Sequence, residues 1–168
     1  MSLSKIRRRK QKGFTLIELM IVIAVIAILA AVLIPNATKF KESAKEAGIE
    51  ANARIAQGLT ESIINKVEST NFPDWLVAKI GTDTDSVFEN PITGNKGVRK
   101  ITAVGDLPDT ARAAYVSTTV APIAPASDTE RAKVKGAIWL QVKSVYKKVE
   151  ITPYDRNGNK MEPITVEK

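Results

Sequence analysis

The chain begins with a short cationic stretch and then turns apolar almost without interruption. Leu19 to Ile34 is a run of 16 apolar residues, and Phe14 to Ile34 spans 21 with only Thr15 and Glu18 as polar breaks. Coiled as an α-helix, such a span rises about 31 Å, close to the hydrocarbon thickness of a bilayer. The pattern predicts a membrane-spanning helix over residues 14–34.

From residue 35 to about 71 the chain becomes polar but keeps a helical period. Phe40, Ala44, Ala47, Ala51, Ile55, Leu59, Ile63 and Val67 recur every three or four positions, with Lys41, Glu42, Lys45, Glu46, Glu50, Arg54 and Glu61 on other faces. This predicts an amphipathic continuation of the same helix, stopped at Asn71-Phe72-Pro73. Gly48 and Gly58 are weak points within it, fit either for curvature or for close packing.

Residues 72–168 have a different grain. Proline and glycine punctuate short β-prone runs at Val98–Val104, Ala114–Val120, Ala137–Val142 and Val149–Tyr154. Ile138, Leu140 and Val142 alternate with Trp139, Gln141 and Lys143, as in a strand buried on one side. Asn157-Gly158 predicts a hairpin joining Val149–Tyr154 to Met161–Val166. The expected fold is α+β, a long N-terminal helix packed on a C-terminal antiparallel sheet. The expected parts are a leader (1–13), a membrane helix (14–34), an amphipathic helix (35–71) and a β-rich head (72–168).

Charge refines this. The formal net charge of +7 would suit a nucleic-acid or anionic-membrane binder, but six of the 25 Lys and Arg residues lie within residues 1–13, leaving 19 bases against 18 acids. Cations before an apolar span place the N-terminus in the cytoplasm and the head outside. A cleaved secretory signal is the rival reading. Its apolar region is normally 7–15 residues, however, and no small-x-small site follows this longer run. The chain has no cysteine and no histidine, which excludes disulfides and Cys/His metal sites and removes the commonest general base.

The residue that needs explaining is Glu18. A carboxylate on a membrane helix is costly, up to about 3 kcal/mol at the bilayer centre, and usually marks function. At the start of a helix it also gains from the dipole. Its surroundings, Lys12-Gly13-Phe14-Thr15-Leu16-Ile17-Glu18, resemble the class III signal of type IV prepilins and secretion pseudopilins. That signal is a basic leader ending in glycine, then phenylalanine, with glutamate as the fifth mature residue. Pro35 falls where many of these pilins carry a proline. The resemblance covers roughly residues 5–60, while in the head it is architectural only.

The resemblance implies that a prepilin peptidase cuts between Gly13 and Phe14 and N-methylates Phe14. It implies that Glu18 neutralises the Phe14 amine of a neighbouring copy as helices bundle, and that Pro35 kinks or breaks the helix near the end of the span. The partners so implied are further copies in a helical filament, an assembly platform, minor pilins, and membrane lipid before assembly. The expected protein is a pilus subunit with no catalytic residues, cofactor or metal. The alternatives are a type II secretion pseudopilin and, from another class, a membrane-anchored enzyme. The chain departs from many Gram-negative pilins in lacking the cysteine pair that closes their C-terminal loop.

Weaker signals carry less. Asp155-Arg156-Asn157-Gly158-Asn159 resembles part of a calcium loop but lacks the full frame, so a hairpin turn is expected. Asp83 and Asp85 are expected to be solvated loop residues. Ser144-x-x-Lys147 lacks its companion motifs. Lys96, Arg99, Lys100, Arg131, Lys133, Lys135, Lys147 and Lys148 offer a weak case for a nucleic-acid partner. Phe40 is the sole aromatic between Phe14 and Phe72.

Overall fold

The structure is a computed structural model that describes residues 13–66, 72–82, 85–143 and 148–168. The expected leader up to Lys12, Val67, Asn71, Asp83 and the Ser144–Lys147 motif lie outside the described residues. Two compact units emerge, residues 1–41 and residues 42–168.

Helix α1 covers Leu16–Ile64, 49 residues with Pro35 inside it. Its first stretch contributes the apolar run. Its later turns belong to the head, where Ile49, Ala53, Ala56, Thr60, Ile63 and Ile64 are buried. This is not the expected stripe: Ala44, Ala47, Ala51 and Ile55 face solvent. Small side chains, Ala53, Ala56 and Thr60, make up half of this buried face. Thr60 tolerates burial because its Oγ1 donates to the Ala56 carbonyl at 2.8 Å.

Helix α1 ends before Asn71-Phe72-Pro73, and those residues do not merely stop a helix. Phe72–Ile80 forms a second one, α2, with Pro73 and Asp74 in its first turn and Lys79 in its last. Proline is tolerated there because the first-turn amides have no intrahelical partner. Gly81, at φ 85°, closes α2 by donating to the Val77 carbonyl at 2.9 Å.

Five strands follow: β1 Val98–Lys100, β2 Ala114–Ser117, β3 Ile138–Lys143, β4 Lys148–Pro153 and β5 Ile164–Glu167. They form one sheet in the order β1-β2-β3-β4-β5. The α+β architecture is as expected, but the sheet is mixed. Strands β3–β5 are antiparallel, whereas β1–β2 and β2–β3 are parallel. The connections explain this. Residues 101–113 and 118–137 are long enough to cross over and return, which a parallel pair requires. The second crossover carries the short helix α3, Asp128–Val134, capped by Ser127.

Those crossovers also bury the sheet on its second side. Ala114, Val116, Ile138, Leu140, Val149 and Ile151 pack with α1 and α2. Tyr115, Trp139 and Tyr154 alternate with them and pack with Ile101, Leu107 and Val134. Strand β3 is therefore buried on both faces rather than one. Its aromatic layer is polar-satisfied: Trp139 Nε1 donates to Ser117 Oγ at 2.8 Å, Tyr115 OH to the Lys133 carbonyl at 2.6 Å, and Tyr154 OH to the Ile123 carbonyl at 2.8 Å.

The hairpin forms where expected, with a three-residue loop. Gly158 N donates to the Asp155 carbonyl at 3.1 Å and Gly158 takes φ 84°, a turn followed by a left-handed residue. Asp155 binds the turn's own groups, accepting from Asn157 N and Asn159 N at 2.8 Å each. Burial pushes this carboxyl up, but bonds from Asn159, Asn157 and Gly158 outweigh it and hold it below the usual carboxylate range. Its oxygens are spent on the turn. At the loop tip, Arg156 reaches Glu42 at 2.5 Å and Glu46 at 3.6 Å on α1.

Candidate functional site

Gly13, Phe14 and Thr15 precede α1 as non-helical, exposed chain, so the Gly13–Phe14 bond lies in accessible backbone. A Cβ built on Gly13 would meet nothing within 4 Å, and Gly13 is not among the positive-φ glycines. What glycine offers at this position is bare backbone, open to close approach. Phe14 is 86% exposed.

The helix start is chemically defined. Thr15 N and Thr15 Oγ1 donate to Glu18 Oε2 at 2.9 and 2.7 Å, while Glu18 N donates to Thr15 Oγ1 at 3.3 Å. This is a reciprocal capping box: residues at the N-cap and the third helical position satisfy amides that the helix cannot. Thr15 is the residue that sequence reasoning passed over, although Thr-x-x-Glu before an apolar run is its signature. Glu18 thus has a local partner within its own chain. Gly13, Phe14 and Glu18 lie within about one turn of each other in sequence; Pro35 stands apart.

Beyond Glu18 the side chains of the run are bare. Leu19, Met20, Ile21, Ile23, Ile26, Ile28, Leu29, Val32, Leu33 and Ile34 are each more than half exposed. The helix is long and apolar enough to cross a membrane, and none of its most apolar window is buried. An apolar cylinder on this scale needs lipid or other helices around it.

The helix runs unbroken through Pro35. The missing amide deprives the Ala31 carbonyl of its usual donor, but one lost rung does not end so long a ladder. Asn36 Nδ2 donates to the Val32 carbonyl at 3.3 Å and Thr38 Oγ1 to the Pro35 carbonyl at 2.8 Å, local side-chain bonds on either side of the defect.

Much of the head's basic charge is already answered by carboxylates. Lys96 pairs with Glu89, Lys100 with Asp74, Lys133 with Asp109 and Lys148 with Glu167. Among the described residues no group of three or more Asp or Glu side chains could hold a metal ion.

The family model for the prokaryotic N-terminal methylation motif matches residues 8–34, which take in Gly13, Phe14, Glu18 and the apolar run. The chain is 41% identical over 101 residues to a fimbrial protein of Moraxella nonliquefaciens, covering 60% of this chain and 59% of that one. It is 35% identical over 98 residues to the type IV major pilin protein PilA of Myxococcus xanthus, covering 58% and 40%. The N-terminal segment carries the prokaryotic methylation motif, and the chain is similar to type IV pilins. It is also 47% identical over 47 residues to the competence protein ComGC of Halalkalibacterium halodurans, 28% of this chain and 46% of that one. It spans less than two thirds of each of these relatives. No solved structure gives a significant match to it.

Proposed function

We propose that this protein is a structural subunit of a type IV pilus, made with a leader that a prepilin peptidase removes between Gly13 and Phe14. The new Phe14 amine is N-methylated. The subunit waits in the plasma membrane, N-terminus inward and head outward, and then enters a helical filament displayed on the cell surface. Residues 1–13 act as leader, 14–34 as membrane and polymerisation helix, 35–71 as its continuation, and 72–168 as head.

The observation that carries this reading is the bare apolar cylinder of α1 beginning at a glycine–phenylalanine junction. Lipid covers it before assembly and neighbouring helices cover it afterwards. Lipid is as apolar as leucine, so close packing at Ala24, Ala27, Ala30 and Ala31 supplies the preference for helices. Within that bundle Glu18 leaves Thr15 and pairs with the Phe14 amine of an adjoining copy, which fixes register. Pro35 provides a point where the helix loosens on entry.

A second reading, a subunit of a shorter envelope filament such as a secretion pseudopilus, draws on the competence-protein match, which is confined to 47 residues. The fimbrial and major-pilin matches extend over about 100 residues and favour the pilus. Mass spectrometry of the protein isolated from its own cells tests the processing: a mature chain starting at methylated Phe14 is expected. Electron microscopy of the surface tests the product. An uncleaved chain with no filaments would overturn the proposal.

A further inference from the structure

Phe40 stands alone on α1. It is 75% exposed, six residues past the end of the apolar run. Its helix neighbours three and four positions away are Asn36, Ala37, Ser43 and Ala44, none large enough to shield a ring. Lys39 and Lys41 flank it. By itself a lone exposed ring asks for no explanation.

The head supplies a receptacle of matching chemistry. An open cavity of about 450 Å³ lies between α1 and the β4–β5 hairpin. Pro153, Met161 and Ile164 give it an apolar wall, and Glu50, Arg54 and Glu162 line it with charge. A thioether adapts its shape to an aromatic ring and attracts it, and a guanidinium stacks on a ring face. The two carboxylates complement two ammonium groups.

We infer that Phe40 of one copy enters the cavity between α1 and the β4–β5 hairpin of a second copy, with its flanking Lys39 and Lys41 answering Glu50 and Glu162. This rests on the filament reading above. Knob and cavity are different patches of the same chain, so the contact is heterologous. Each copy in a row keeps one free knob and one free cavity, which extends an array instead of closing a dimer. A ring between lysines also suits a bilayer interface. Lipid, however, offers no use for a cavity lined by two carboxylates and an apolar wall, so the second copy is the better occupant.

The chain contains no cysteine, so introduced thiols report cleanly. Filaments from cells expressing Phe40→Cys/Met161→Cys should give a ladder of disulfide-linked multimers on mild oxidation, and neither single variant should. Normal filaments without that ladder, or an equal ladder from Phe40→Cys alone, would overturn the inference while leaving the filament reading intact. Absence of wild-type filaments would strike the filament reading itself. Charge exchange gives an independent readout: Lys39→Glu/Lys41→Glu should lower filament yield at least tenfold, and adding Glu50→Lys/Glu162→Lys should restore it. No restoration counts against the contact. Release of Phe40→Ala from membranes, with filament yield unchanged, assigns the ring to the bilayer interface instead.

Discussion

Asn90 donates through Nδ2 to the backbone carbonyl of Lys135, 45 residues away in sequence, at 2.9 Å. The same amide donates to the Arg112 carbonyl at 2.9 Å, and Oδ1 accepts from Ile92 N and Thr93 N at 2.9 and 3.1 Å. One fully buried side chain thus ties the loop after α2 to both crossover connections of the sheet.

Asn90→Ala leaves two carbonyls and two amides to find new partners in a site closed to water. We expect a loss of about 2–4 kcal/mol, read as a fall in the head's melting temperature of about 10–20 °C for a domain of this size. Asn90→Asp keeps the acceptor but sets a carboxylate against two carbonyls. It should melt lowest near neutral pH and recover as acid protonates the side chain.

The Glu18 variants separate capping from pairing. Glutamine serves in a capping box as glutamate does, so Glu18→Gln should keep the helix start while removing the charge. Filament yield should drop at least tenfold in both Glu18→Gln and Glu18→Ala, with cleavage after Gly13 unchanged, as immunoblots of sheared and cell fractions would show. Thr15→Ala loses only the cap, about 1 kcal/mol of local helix stability, and should still assemble. Normal piliation by Glu18→Gln would sink the pairing role and leave Glu18 as a cap alone.

The two helix glycines should answer alanine in opposite directions. At Gly58 a new Cβ meets nothing within 4 Å, so Gly58→Ala should stabilise by about 1 kcal/mol through helix propensity. At Gly48 it would lie 2.9 Å from Pro91 Cγ. There the propensity gain meets an overpacking cost of about 1–3 kcal/mol, and Gly48→Ala should come out neutral to destabilising. Thermal melts of the two variants side by side check the sign.

Tyr115 and Tyr154 set an alkaline limit. Burial pushes the Tyr115 phenol up to about 12, outweighing the lowering by its bond from Arg112, and burial pushes Tyr154 up as well. In the unfolded chain a tyrosine ionises near pH 10. Between those values the unfolded state holds fewer protons than the folded one, so stability falls as pH rises. Melting temperature should be steady up to about pH 10 and then drop, with a shallower slope in Tyr115→Phe/Tyr154→Phe. A slope unchanged in that double variant would assign the decline to lysine titration.

The strands were readable because β-branched residues alternate along them, and the hairpin because Asn-Gly tolerates left-handed backbone. Strand direction was not readable. Alternation at Val98–Lys100 and Ala114–Ser117 has no arrow, and only the length of the chain between them hints at a crossover. The second buried face was hidden for a related reason. Trp139 reads as outward-facing in the alternation of β3 until Ile101, Leu107 and Val134, from the connections 101–113 and 118–137, are seen to cover it. On α1, alanine is too small to declare a face, so the apolar period points to Ala44, Ala47 and Ala51 where the fold buries Ala53 and Ala56. At the N-terminus, Gly13, Phe14 and Glu18 stood out through spacing and charge. Thr15 did not, because a lone threonine is unremarkable until its hydroxyl is paired three residues on.

The Thr15–Glu18 capping box bears on how a fibre could be taken down again. A carboxylate that trades a hydroxyl and amide of its own chain for a neighbour's ammonium gains only the difference between two bonds. When the neighbour withdraws, the original partners are still three positions away, and no naked anion is stranded among acyl tails. On the filament reading proposed above, subunits joined by such swaps would leave the polymer for the membrane without exposing a bare carboxylate.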